Sequence, residues 1–443
     1  MTEIKSAALE LGTESIRKLL VQYAVPAIIA MTASSLYNMV DSIFIGHGVG
    51  PLAISGLALT FPLMNLAAAF GSLVGVGAAT LISMRLGQRD YETAQRVLGN
   101  VLVLNLIIGI AFGLVALLFL DPILYFFGAS EATIGYAREY MTVILLGNVV
   151  THMYLGLNSV LRASGHPRKS MYATINTVVI NTILDPLFIF GFGWGIRGAA
   201  IATVLAQVIS LVWQLRILSD KQELLHFRRG IYRLRKKIVR DMLAIGMSPF
   251  LMNLAACFIV ILINKGLKEY GGDLMIGAYG IVNRLAFFFV MIVLGVNQGM
   301  QPIAGYNFGA KQYDLGEFMP RLAVGLFTTD EELIRLAVEG MRIVFFCFPI
   351  IGFQMVATNF FMSIGMAGKA IFLSLSRQLL FLMPGLIFLP HIFDVCTEWN
   401  GSWGVWCSMP LSDFLASLVA FFMLTYQLRK FRAIGAENAA KEG

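Results

Sequence analysis

Long apolar runs joined by short polar stretches dominate the chain. In the first half they cover Leu19–Ile45, Leu52–Ile82, Val97–Leu120, Tyr136–Val160, Tyr172–Phe192 and Gly198–Leu215, and in the second Met242–Ile263, Met275–Ile303, Leu336–Phe361, Ile371–Phe388 and Val405–Tyr426. A helix needs about 20 such residues to cross about 30 Å of hydrocarbon, and these runs have that length. Barrel strands would instead be short and alternate apolar with polar residues, which a run such as Val97–Leu120 does not do. The pattern predicts an all-α polytopic membrane protein with eleven recognisable spans, six and then five.

Composition agrees: 58% of the 443 residues are hydrophobic and 13% are charged, against roughly 25% charged in a soluble domain. No stretch is left for a large soluble domain. The net charge of +7 does not imply nucleic acid, because the Lys and Arg residues collect in short joints between spans. Arg85, Arg89 and Arg96 follow span two, and Arg162, Arg168 and Lys169 follow span four, whereas 46–51 and 120–135 have no Lys or Arg. By the positive-inside rule the N-terminus is cytoplasmic. The first run is too long for a removable signal peptide and lacks its cleavage pattern, so it is expected to remain as a span. For Cys396 and Cys407, which flank the last outer loop, free thiols are favoured over a disulfide.

The two halves repeat each other. Gly87, Tyr91 and Glu92 recur as Gly309, Tyr313 and Asp314, 222 positions later, while Phe127, Glu131, Glu139, Gly165 and Lys169 recur as Phe327, Glu331, Glu339, Gly365 and Lys369, 200 positions later. The offset therefore falls by 22 residues, which is about 33 Å of helix and one crossing. The segment left between the anchors, about 315 to 326, contains Glu317, Pro320 and Arg321 and is too short and polar to cross. The expected parent is a protein of twelve spans in two six-helix repeats of the same orientation, here without the ninth. A natural eleven-span protein with its C-terminus outside is the alternative. The organisation expected is a lobe over 1–218, a basic cytoplasmic linker over 219–241 and a second lobe over 242–443.

Carboxylates inside spans are costly unless paired, hydrated or neutralised, so they mark candidate sites. Asp41 lies toward the outer end of span one and Asp185 toward the outer end of span five. Asn181 precedes Asp185 by four residues and shares its helix face. Thr203 in span six and Tyr140 in span four reach a similar depth. Five oxygen-bearing side chains at one level, two of them carboxylates, suit a proton or a hard cation such as Na⁺. The alternative is that the aspartates sit hydrated near the headgroups while Asn181, Thr203 and Tyr140 only join helices. Pro26, mid-way along span one, removes a backbone hydrogen bond and permits a bend. Asn158, Asn176, Gln298 and Gln301 are polar positions in or near spans that are candidates to line a substrate cavity. The first span of the second half has no acid before Glu269, which confines the expected coupling chemistry to the first lobe.

The stretches Asn38-Met-Val-Asp-Ser-Ile-Phe-Ile-Gly46, Leu161-Arg-Ala-Ser-Gly-His-Pro-Arg168, Asn181-Thr-Ile-Leu-Asp-Pro186, Gly195-Ile-Arg-Gly-Ala-Ala-Ile-Ala-Thr203 and Gln301-Pro-Ile-Ala-Gly-Tyr-Asn-Phe-Gly-Ala-Lys311 resemble the multidrug and toxic compound extrusion (MATE) family. The resemblance covers essentially the whole chain. It implies a twelve-helix, two-lobe antiporter of the inner membrane that exports cationic amphipathic compounds in exchange for H⁺ or Na⁺. It also implies a cation site in the first lobe at Asp41, Asn181, Asp185 and Thr203, with Tyr140 nearby and Pro26 at the bend of the first helix. The missing ninth helix departs from the family.

Two other readings stand beside efflux. A flippase for lipid-linked saccharides would need a strongly basic cavity, and the spans offer mainly Lys265, Arg284 and Arg377. A deletion product that inserts without transporting is the other. Enzymatic catalysis is not expected: the five histidines are scattered, and no H-E-x-x-H, G-x-S-x-G or Walker A pattern occurs. The expected partners are small cationic amphipathic substrates and the lipid bilayer, with no nucleic acid and no cofactor beyond the coupling ion, and the chain is expected to act as a monomer.

Overall fold

The computed structural model describes residues 11, 15–127, 129, 131–310, 348–396 and 401–442, and every regular element among them is helical. In chain order these are α1 (Ile16–Gly48), α2 (Pro51–Gly87), α3 (Tyr91–Leu118), α4 (Leu120–Phe126), α5 (Ile134–Leu146), α6 (Asn148–Ala163), α7 (Pro167–Pro186), α8 (Gly195–Leu218) and α9 (Lys236–Gly309), followed by α10 (Phe348–Ser363), α11 (Ala367–Leu375), α12 (Met383–Cys396) and α13 (Gly401–Glu442). Two π-helical turns, Leu187–Gly191 and Ser376–Leu382, continue α7 and join α11 to α12. Among the described residues eight helices are long and apolar enough to cross a membrane, or nine when the bent pair α5–α6 counts as one span. The whole of the expected 315–326 gap and the first part of the expected span Leu336–Phe361 lie outside the described residues.

The chain forms two compact units, Met1–Phe250 with Leu294–Gly309, and Leu251–Val293 with Ala310–Gly443. The first unit takes in both ends of α9, and glycines explain why. A Cβ on Gly77 of α2 would meet the Met242 carbonyl oxygen at 2.0 Å, and one on Gly246 would meet the Leu73 carbonyl oxygen at 1.7 Å. Farther along, Gly299 and Gly295 lie against Ala24 and Ile28, each 2.6 Å from the would-be Cβ to a Cα, on either side of Pro26 in α1. Small residues let these helix backbones touch, which is how helices associate where lipid removes the hydrophobic drive.

Although α9 is helical over 74 residues, it cannot be straight. Met242 touches Gly77, and the Gln301 Nε2 donates to Thr80 Oγ1 at 2.7 Å and to the Val76 carbonyl at 3.2 Å. Both therefore meet the same turn of α2, whereas a straight helix would part them by about 90 Å. The element folds back on itself, as two expected spans over 242–263 and 275–303 require.

The expected span Tyr136–Val160 is not one straight helix. It breaks at Gly147 into α5 and α6, bent by 56°. A Cβ on Gly147 would fall 2.6 Å from Val204 of α8, and Asn148 Nδ2 donates to the Gly109 carbonyl of α3 at 3.0 Å. Glycine and a side chain engaged off the helix account for the bend, which leaves Tyr140 of α5 buried in an apolar core of the unit with Ile45, Leu63, Met141 and Ile196.

A candidate cation site in the first unit

Asp41 lies near the end of α1, and Tyr37 sits four residues earlier on the same face. Asn181 and Asp185 have the same spacing on α7. Pro186 follows Asp185 at once, and the helix then widens into the π turn Leu187–Gly191, a distortion common beside functional positions. Thr203 comes from α8 and Tyr140 from α5. Asp185 is fully buried, and Asp41, Asn181, Thr203 and Tyr140 are 5%, 1%, 8% and 1% exposed.

The five residues anticipated from depth along the chain meet at one place. Asn181 Nδ2 donates to Asp185 Oδ1 at 3.1 Å and to Thr203 Oγ1 at 3.3 Å. The Tyr37 hydroxyl lies 3.0 Å from Thr203 Oγ1, and the buried Tyr140 side chain is a neighbour of Thr203. The carboxyl groups of Asp41 and Asp185 are neighbours in this cluster. Tyr37 is the member that sequence reasoning missed, although its four-residue spacing to Asp41 repeats that of Asn181 to Asp185.

Among the described residues no basic side chain pairs with either carboxyl group. Asp41 Oδ1, Asp185 Oδ2 and Asn181 Oδ1 are buried with no hydrogen-bond donor. Two bare carboxylates side by side in a buried space are untenable, since like charges and desolvation both oppose the second ionisation. A single positive charge resolves this, either as a proton shared between the carboxyls or as a small cation held by them. The available ligands are all hard oxygens, which suit Na⁺ and give a soft metal nothing. The three unpaired oxygens are the atoms a cation would satisfy.

The other anticipated positions lie apart from this cluster. Pro26 is 15 residues before Asp41, about 22 Å along the helix. Asn158 Nδ2 donates to Thr174 Oγ1 at 3.1 Å, joining α6 to α7. Asn176 is exposed on a different face of α7 from Asn181. Gln298 Nε2 lies 3.4 Å from Met31 Sδ of α1, and Gln301 is occupied by α2 as described.

The model of the MatE family matches residues 26–187 and 248–317, together more than half of the chain. The chain belongs to the MATE family. The first matched stretch contains Pro26, Tyr37, Asp41, Tyr140, Asn181 and Asp185; Thr203 lies beyond it. Among similar proteins, the multidrug export protein MepA of Staphylococcus haemolyticus is 27% identical over 436 residues, which cover 94% of this chain and 94% of that protein. MepA of Staphylococcus aureus is 26% identical over 437 residues, covering 93% and 94%. A solved structure of a multidrug resistance MATE family transporter in an outward-facing conformation superimposes with a TM-score of 0.83 at 24% identity, over 96% of this chain and 99% of that one. That likeness concerns the fold. The chain is accordingly a multi-pass membrane transporter of the MATE family.

Proposed function

We propose that this MATE transporter exports cationic amphipathic drugs and toxic compounds in exchange for H⁺ or Na⁺ bound at Asp41, Asn181, Asp185 and Thr203, with Tyr37 and Tyr140 completing the site. The observation that carries the reading is the pair of buried carboxyl groups with unpaired oxygens and no basic partner. The multidrug export named for the MepA relatives supports drug export as the activity. In this reading the cation enters from the outer side, neutralises the pair, and its binding energy favours the conformation that releases drug outward. The packing of Gly295 and Gly299 around Pro26 supports α1 as the moving element, because that proline leaves the helix a weak point at the place where α9 grips it.

The orientation proposed places the N-terminus and the 219–241 linker in the cytoplasm of a cell whose inner membrane holds the protein as a monomer. The family match in the second half ends at residue 317, where the repeat loses register, in keeping with a lobe that lacks its ninth helix. The test is dye efflux from proteoliposomes under an imposed pH gradient or Na⁺ gradient. Wild type should respond to one of the two, and Asp41→Asn and Asp185→Asn should abolish the response while still inserting and folding. Gradient-driven efflux retained in both variants would remove this assignment.

A further inference from the structure

The linker between the two halves is fixed on the first unit. Phe227 N donates to the Leu218 carbonyl at 2.9 Å. The backbone N–H of His226 donates to Gln95 Oε1 at 3.3 Å, and Gln95 Nε2 donates back to the His226 carbonyl. Asn100 of α3 does most: its Nδ2 donates to the carbonyls of Ile231 at 3.4 Å and Arg233 at 3.2 Å, and its Oδ1 accepts from Arg235 N at 3.1 Å. Beside it, a Cβ on Gly99 would meet the Ile231 carbonyl oxygen at 2.3 Å. Leu225, Ile231 and Ile238 are buried.

This clamp sets the depth and the side on which the linker lies. The apolar run of α3 begins at Val97, so Asn100 is about 4.5 Å into it, at the boundary of hydrocarbon and headgroups. Seven residues farther along, Leu106 and Ile107 are 42% and 49% exposed. A seven-residue step returns to the same helix face, so Gly99 and Asn100 share the face that two turns deeper is turned to lipid. The segment 231–235 thus lies on the lipid side of α3 at the level of the interface.

Its outward side has the character of that level. Arg228, Arg229, Arg233, Arg235, Lys236 and Lys237 are all exposed, and 224–240 contains no acidic residue. Tyr232 and Leu234 are each 44% exposed between them. Cations interleaved with an aromatic and an aliphatic side chain are what an anionic bilayer surface attracts. We propose that residues 228–240 form a preformed docking surface for anionic phospholipid headgroups, with Tyr232 and Leu234 entering the interface and the arginines meeting the phosphates. The surface rests on the membrane fold alone, so its failure would leave the transport reading untouched.

The test uses the full chain, delipidated in neutral detergent and titrated with phosphatidylglycerol or phosphatidylcholine of the same acyl chains, with bound lipid counted by mass spectrometry. Wild type should prefer phosphatidylglycerol, and the preference should fall steeply between low and high NaCl. Replacing Arg228, Arg229, Arg233 and Arg235 together by Gln should weaken phosphatidylglycerol binding by about three orders of magnitude and leave phosphatidylcholine binding unchanged. Equal binding of the two lipids by wild type, a preference insensitive to salt, or a folded Gln variant that keeps the full preference would overturn the proposal. Should the variant not fold, the salt dependence of wild type decides.

Discussion

Thr203→Val isolates one oxygen in the cation site. The two side chains have nearly the same volume, so the change deletes a hydroxyl without opening a large cavity. That hydroxyl lies 3.0 Å from the Tyr37 hydroxyl and 3.3 Å from Asn181 Nδ2. Each neutral hydrogen bond is worth about 1 kcal/mol net, and a donor left buried without a partner costs about 1–3 kcal/mol more. The expected loss is therefore about 3–5 kcal/mol, shared between fold stability and cation affinity. With half of it falling on binding, the half-saturating cation concentration for gradient-driven dye efflux rises about 10- to 60-fold, since 1.4 kcal/mol is tenfold. Thr203→Ser returns the hydroxyl and should restore most of the affinity. The assay is initial efflux rate from proteoliposomes against external H⁺ or Na⁺, with thermal unfolding in detergent recorded in parallel. An unchanged half-saturation in a folded Thr203→Val protein would refute the reasoning, because the hydroxyl at the junction of Tyr37 and Asn181 would then carry no energy.

Two further outcomes follow from packing and charge. Ala at Gly77 or Gly246 would place a Cβ 2.0 Å or 1.7 Å from a carbonyl oxygen across the α2–α9 contact, whereas Gly135 has nothing within 4 Å; the first two should lower the thermal midpoint, by about 1–3 kcal/mol of stability or more, while Gly135→Ala leaves it unchanged or slightly higher. In the second unit Arg377 Nε bonds Asp413 Oδ1 at 2.5 Å, with Asp413 only 2% exposed. Arg377→Gln should then cost about 3–5 kcal/mol by leaving a buried carboxylate unpaired, and joining Arg377→Met with Asp413→Leu should recover most of it in the same unfolding measurement.

Much of the helical pattern is legible in the chain because, in lipid, every backbone polar group must be satisfied within its own segment, which makes apolar runs and spans nearly the same thing. The cation cluster is legible for a related reason. Carboxylates are rare in spans, depth can be counted along a helix, and Asn181 and Asp185 announce a shared face by their spacing. Where the chain departs from its expected form, contacts distant in sequence decide. The bend at Gly147 depends on Val204 and Gly109, which no local pattern names. Tyr37 looks like any interfacial aromatic until α8 brings Thr203 to it, 166 positions away. The return of α9 to α2 is visible only through the glycines at 77 and 246 and through Gln301. Asp413 reads as one more polar residue in a late span until Arg377, 36 positions away, is seen paired with it in the interior. The linker reads as a solvated basic loop until Asn100 is seen holding it against α3.

The most direct measurement of the central claim is cation binding itself. Purified wild type, Asp41→Asn and Asp185→Asn would be equilibrated with ²²Na⁺ at neutral pH, and proton uptake or release would be followed in parallel on a pH step in a Na⁺-free medium. The account predicts one competitive cation equivalent per chain, carried by H⁺ or Na⁺ and lost from both variants. Stoichiometric binding that survives both substitutions would place the coupling cation elsewhere and contradict the account.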